Sequence, residues 1–141
     1  MVYYYKGDYK KASEYFLQAY RANKEIEENV PAIKSLCFNA YIEQLLGNTK
    51  SAKEGIIECS EWVSNNLDKL NDDADAYETY WPLYLYYVQM NNMTKAETYL
   101  NLAYAKIGTE KIKKYNNNPK KDTNPKFFYC RDIIIAYKKH Y

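Results

Sequence analysis

At 141 residues the chain has the length of one domain and can bury roughly two thirds of its unfolded surface. Its 18 tyrosines reconcile an apolar share of 47% with a mean hydropathy of −0.71, because a tyrosine packs its ring and keeps its hydroxyl wet or bonded. A net charge of +2, mixed along the chain, sets up no field that would draw nucleic acid or a membrane surface. No apolar run approaches the ~20 residues of a membrane span.

In chain order, residues 1–6 read as the last turns of a repeat's first helix, so the expectation is either a segment of a longer protein or a chain that starts on a stub helix. Met1–Lys6 lacks the basic-then-apolar layout of a signal peptide. Gly7-Asp8 is a turn, and Asp8 is a good N-cap for a helix running to about Glu28. Ala12, Phe16 and Ala19 fall at i, i+4 and i+7, one face of that helix. Asn29-Val30-Pro31 ends it, with Pro31 placed to begin the next.

A helix is predicted over Pro31–Leu46 with the apolar stripe Ile33, Leu36, Cys37, Ala40, Tyr41 and Leu45, and its partner over Thr49 to about Leu67 with Ala52, Ile56, Cys59 and Val63. Asp68–Asp75 reads as an acidic connection. The most aromatic helix, Ala76–Met90, contains Pro82. There the helix either kinks or restarts, and the unbroken apolar spacing favours the kink. Thr94-Lys95-Ala96-Glu97 reads as a capping box for a helix ending near Lys114. Tyr115–Lys126, with its Asn-Pro pairs, reads as a loop, and Phe127–Tyr141 as a final helix.

One device recurs three times: a turn residue, a small residue five on, a large one four further, a small one three after that. Gly7, Ala12, Phe16 and Ala19 are followed by Gly47, Ala52, Ile56 and Cys59, then by Asn91, Ala96, Leu100 and Ala103. Small positions let a second helix approach closely while the large residue fills the groove. In these residues the chain resembles the tetratricopeptide repeat, whose second helix reads much like Gly-Asp-Tyr-x-x-Ala-x-x-x-Tyr/Phe-x-x-Ala. The first copy is close and the others are degenerate.

That resemblance implies an all-α, right-handed superhelical stack of antiparallel helix pairs, an α-solenoid occupying 1–141 as a single domain. Its repeat units would be 1–28, 31–67, 76–114 and a partial 127–141, lengthened beyond the family's ~34 residues. Asn39 and Glu43 stand where the family usually has Leu and Tyr, which loosens the register of the helix over 31–46. The first helices of such a stack line a concave face. Counting back from each turn, the resemblance places Lys34, Tyr41 and Gln44 there in the second unit, with Glu78, Trp81, Leu85 and Gln89 in the third. Arg131, Ile135 and Lys138 follow in the fourth, and Tyr4 and Tyr5 come from the first. The set is aromatic with a few charges, a composition found at interface anchors. Tyr41 and Trp81 serve equally well as rings packed against the neighbouring repeat. The subtype that clamps chaperone C-termini is not expected. Its basic and amide positions here hold Cys37, Tyr41, Trp81, Leu85, Arg131 and Ile135, of which only Arg131 fits.

Chemistry beyond binding finds little support. A single histidine, His140, offers neither a His-based metal cluster nor His acid–base catalysis, and no HExxH, CxxC or phosphate-cradling Gly loop is present. No enzymatic activity, cofactor or metal is expected. Cys37, Cys59 and Cys130, odd in number and on apolar faces, read as reduced core thiols, which leans towards the cytoplasm. The expected function is a non-catalytic scaffold that binds a peptide or partner helix, with oligomerisation open to the terminal helices. One alternative is the sensing or docking arm of a larger signalling or transcription-regulatory protein, such as a bacterial one. Another is single-stranded nucleic acid held by the basic 111–126 segment, where lysines alternate with Tyr115 and Phe127.

Overall fold

The structure, a computed structural model, describes residues 2–108, 112–113, 116 and 125–141; the side chains of Val2, Tyr5 and 125–129 lie outside that description. The chain divides into two units, Met1–Asp73 and Ala74–Tyr141, with the boundary inside the predicted acidic connection. Unit 1 contains α1 (Val2–Tyr5), α2 (Tyr9–Glu25), α3 (Asn29–Leu45), α4 (Thr49–Asn65) and α5 (Leu67–Asn71). Unit 2 contains α6 (Tyr77–Gln89), α7 (Met93–Ile107) and α8 (Pro125–His140). Among the described residues the regular elements are all helical, packed in adjacent pairs.

In unit 1 the three long helices are each 17 residues, and the turns between them are copies of one another. Gly7, Glu27 and Gly47 recur every 20 residues in the left-handed region. At each, the N–H of that residue bonds back to the carbonyl three earlier, and the next N–H to the carbonyl five earlier. This is the Schellman stop, which satisfies carbonyls that the helix end leaves open. Asn91 repeats it in unit 2.

Glu27 was not foreseen, since a glutamate gives no turn signal, and it ends α2 at Glu25 instead of Glu28. Consequently α3 begins at Asn29, and Pro31 falls in its first turn, where no intrahelical N–H is required. A left-handed conformation costs a residue bearing a Cβ about 1 kcal/mol or more. Glu27→Gly should therefore raise the urea midpoint, by roughly 0.5–1 kcal/mol of stability, whereas Glu27→Ala should not. A lower midpoint for the glycine variant would overturn this account.

Other boundaries also shift. Within 68–75, Leu67–Asn71 is a short helix pinned by the fully buried Leu70. The N-cap of α7 is Asn92, whose side chain accepts from the Lys95 N–H, so the expected capping box at Thr94 does not form. Asn91 in the left-handed turn delivers the chain to the cap two residues earlier than Thr94. Helix α7 stops at Ile107 before Gly108, short of Lys114, and α8 starts at Pro125, ahead of Phe127. Helix α6 runs unbroken through the buried Pro82, so it does not restart there. Most of the segment expected as a 115–126 loop lies outside the described residues.

The small-large-small faces are buried as the offsets predict: Ala12 and Phe16, then Ala52, Ile56 and Cys59, then Ala96, Leu100 and Ala103, with Ala19 half-buried. Packing of α3 on α4 is antiparallel. Gly55 meets Ala40, and one turn further along α4 the Cys59 thiol reaches back to the Ile33 carbonyl at 3.9 Å. A second set of contacts in unit 1 skips one helix. Tyr4 of α1 packs edge-on against Phe38 of α3 at 5.5 Å, and its hydroxyl lies 3.4 Å from that of Tyr41. Likewise the Tyr20 hydroxyl of α2 donates to Glu58 of α4 at 3.2 Å, with Lys24 beside them. Helices of unit 1 therefore alternate between two layers, α1 and α3 in one, α2 and α4 in the other.

Asn39 and Glu43, the two residues at odds with the family pattern, have a use within α3. Asn39 Nδ2 donates to both the carbonyl and the hydroxyl oxygen of Ser13, each at 2.9 Å. The Ser13 hydroxyl donates to Glu43 Oε1, and Asn48 Nδ2 holds Glu43 Oε2 at 2.6 Å. Polar side chains thus set the register of α2 against α3 where an apolar seam was expected.

Candidate functional site

Unit 1 brings Tyr4 and Tyr41 together, but as packing. Tyr41 is 6% exposed, with its ring 6.0 Å from Tyr4 and 6.1 Å from Phe38. Burial pushes its phenol above the ordinary range, and the bond with Tyr4 partly offsets this, so it stays neutral at physiological pH. Tyr41 therefore offers little surface to a ligand. Lys34 and Gln44 are half-buried, and the side chain of Tyr5 lies outside the described residues.

Unit 2 holds a groove of about 390 Å³ between α6 and α8. From α6 it takes Trp81, Tyr84, Leu85 and Val88; from α8 it takes Asp132, Ile135, Ala136, Lys139 and His140. Both sets follow the i, i+3, i+4, i+7 spacing of a single helix face, which is why two neighbouring helices can line one trough. Trp81 stacks on Tyr84 with centroids 5.0 Å apart. It is 5% exposed, so like Tyr41 it offers little surface of its own, and its indole Nε1 is buried without a hydrogen-bond partner. Burial also pushes the Tyr84 phenol up. Leu85 is half-buried and Ile135 is 39% exposed, so the trough is apolar and open to solvent.

Its far end is fastened to α7. His140 contacts the Glu97 carboxylate, Tyr141 donates to Asn101 Oδ1 at 2.8 Å, and Tyr137 stacks on Tyr104 at 3.7 Å. These contacts fix the last turn of α8 and so the position of Lys139 and His140.

Of the residues expected on a binding face, Trp81, Leu85 and Ile135 line this groove. Glu78, Gln89, Arg131 and Lys138 do not. Arg131 Nε is 3.9 Å from Asp132 Oδ1, and Lys138 donates to Asn116 at 2.7 Å. Tyr84 and Val88 of α6 and Asp132, Ala136, Lys139 and His140 of α8 escaped sequence reasoning. Aligning α8 on the first repeat chose 131, 135 and 138, whereas the face turned to α6 runs 132, 135, 136, 139 and 140.

All three cysteines are buried free thiols, and burial together with the neighbouring Cys37 holds Cys59 well above the ordinary thiol range, away from the reactive thiolate. Among the described residues no group of three or more His, Cys, Asp or Glu could hold a metal ion, and no helix is long and apolar enough to cross a membrane. A polar recess at the Gly47 turn of unit 1 is lined by residues including Glu43, Asn48, Lys50 and Glu54, a mixed and solvated set. Of the lysines in the basic 111–126 segment, only Lys113 has a described side chain, and it is exposed. Comparison with known proteins finds no matching family model, no matching curated protein and no matching solved structure.

Proposed function

We propose that the chain is a non-catalytic, tetratricopeptide-like interaction module, and that the groove between α6 and α8 receives a segment of a partner protein. The proposal includes the right-handed superhelical stacking of helix pairs and a place in the cytoplasm, where buried cysteines remain reduced. Supporting the repeat reading are the recurring Schellman turns and the alternation of two helix layers in unit 1. The observation that carries the binding reading is that Trp81, Leu85 and Ile135, picked out by repeat register, border one apolar trough. Aromatic and aliphatic anchors in such a trough supply most of the affinity of helix-in-groove complexes.

Selection from a displayed peptide library tests this. Selected peptides should carry apolar residues at helical spacing, and Ile135→Lys should weaken them about tenfold or more, as expected when a charge enters an apolar contact. Ile135 is partly exposed, so circular dichroism of that variant should match the parent. Raising salt from roughly 50 to 200 mM should change binding little, in contrast to a phosphate-contacting mode. Selected peptides that ignore Ile135→Lys would overturn the groove. A random oligonucleotide that binds and is released by salt would replace the proposal with the nucleic-acid reading.

A further inference from the structure

We infer that the groove's occupant is acidic, seating aliphatic side chains on the Trp81–Leu85–Ile135 floor and a carboxylate beside Lys139. The inference rests on the binding reading above and adds the chemistry of the partner. Most charges lining the trough have partners: Asp132 lies by Arg131, and His140 by Glu97. Lys139 has neither an ion pair nor a hydrogen bond among the described residues, and it is exposed. One uncompensated cation therefore remains on the rim. Next to it lies the apolar floor bordered by Trp81, Leu85 and Ile135.

The unpaired Lys139 cation thus stands next to apolar surface. A basic segment would set a cation against Lys139. A purely aliphatic one would use the floor alone. A nucleic acid would meet one unpaired cation where a phosphate backbone needs several. An amphipathic helix with leucine on one stripe and glutamate beside it meets every demand, and a volume of about 390 Å³ lies in the range of pockets that accept a few side chains.

Three short helical peptides with one leucine stripe, flanked by glutamate, glutamine or lysine, serve as probes. Fluorescence anisotropy with the full chain should rank the glutamate peptide about tenfold above the lysine peptide, with glutamine between. Lys139→Glu should reverse that order, and Lys139→Gln should flatten it. If the three peptides bind alike and all are lost with Ile135→Lys, the groove stands and the acidic preference is wrong. If none responds to Ile135→Lys, the groove itself is wrong. A preference for glutamate that survives Lys139→Glu also overturns the inference, because the selecting cation would then lie elsewhere. A single-stranded oligonucleotide bound more tightly than the glutamate peptide would do the same.

Discussion

Placing a valine at Gly55 should cost the protein about 3 kcal/mol of stability. Gly55 lies on α4 where it crosses α3, and a Cβ built there falls 2.9 Å from the Cβ of Ala40. That neighbour is bonded directly to the α3 backbone, so no side-chain rotation relieves the clash and the helices must part. Parting them opens the seam that also buries Leu36, Cys37, Ile56 and Cys59. Two γ-methyl groups enlarge the misfit, and β-branching recovers only part of the helix propensity that glycine lacks.

Alanine at Gly55 is the finer probe, because two effects oppose each other. Exchanging glycine for alanine inside a helix gains about 1 kcal/mol of intrinsic propensity, against the same 2.9 Å approach. The sign should depend on residue 40. In the parent, Gly55→Ala should destabilise. In an Ala40→Gly background the new methyl meets the α-carbon of residue 40 at 3.8 Å and Leu36 Cδ1 at 3.9 Å, both ordinary contacts, and the same substitution should stabilise. A reversal of sign between the two backgrounds, read from urea melts, is direct coupling across the crossing. Equal effects in both would show that the helices do not meet at this pair.

Gly55 also marks where reading the sequence stops short. Periodicity and glycine spacing revealed Gly7 and Gly47 as turns, because a glycine after an apolar stripe is a stop signal with a mechanism. Gly55 lies inside a helix and carries no turn signal; only the geometry identifies it as a place where two helices approach closely. Glu27 shows the opposite failure. Its left-handed φ of 60° is imposed by the 20-residue repeat of helix and turn, not by its own preference. At Thr94 two capping residues competed, and the left-handed Asn91 decided for Asn92. The groove was half legible for a similar reason. Register on α6 could be counted from a turn with known geometry, which gave Trp81 and Leu85. Helix α8 offered no such anchor, and its face was set by His140, Tyr141 and Tyr137 docking on α7, contacts between residues about 40 apart in sequence.

Asn39→Leu, the change that brings α3 nearer the family pattern, should lower stability by about 2 kcal/mol instead of raising it. Local pattern argues for the leucine, since it would extend an apolar stripe at a buried position. The structure argues against it. Asn39 gives both bonds from its amide nitrogen to Ser13, and the Ser13 hydroxyl in turn donates to Glu43. A leucine removes two hydrogen bonds, each worth about 1 kcal/mol net, and lays hydrocarbon against a serine hydroxyl and a half-buried carboxylate. The penalty belongs to the stranded partners more than to the lost amide. Removing those partners as well should therefore restore most of the loss. The triple variant Ser13→Ala, Asn39→Leu, Glu43→Tyr replaces the polar seam with an apolar one and should melt within about 1 kcal/mol of the parent, as replacing both sides of a buried hydrogen bond tends to be near neutral. Urea denaturation of the parent, the single variant and the triple decides the matter. An Asn39→Leu chain as stable as the parent would mean that the Ser13–Asn39–Glu43 bonds contribute nothing, and that α2 and α3 are held in register by Phe16 stacking on Phe38 at 5.0 Å and the apolar residues around that pair.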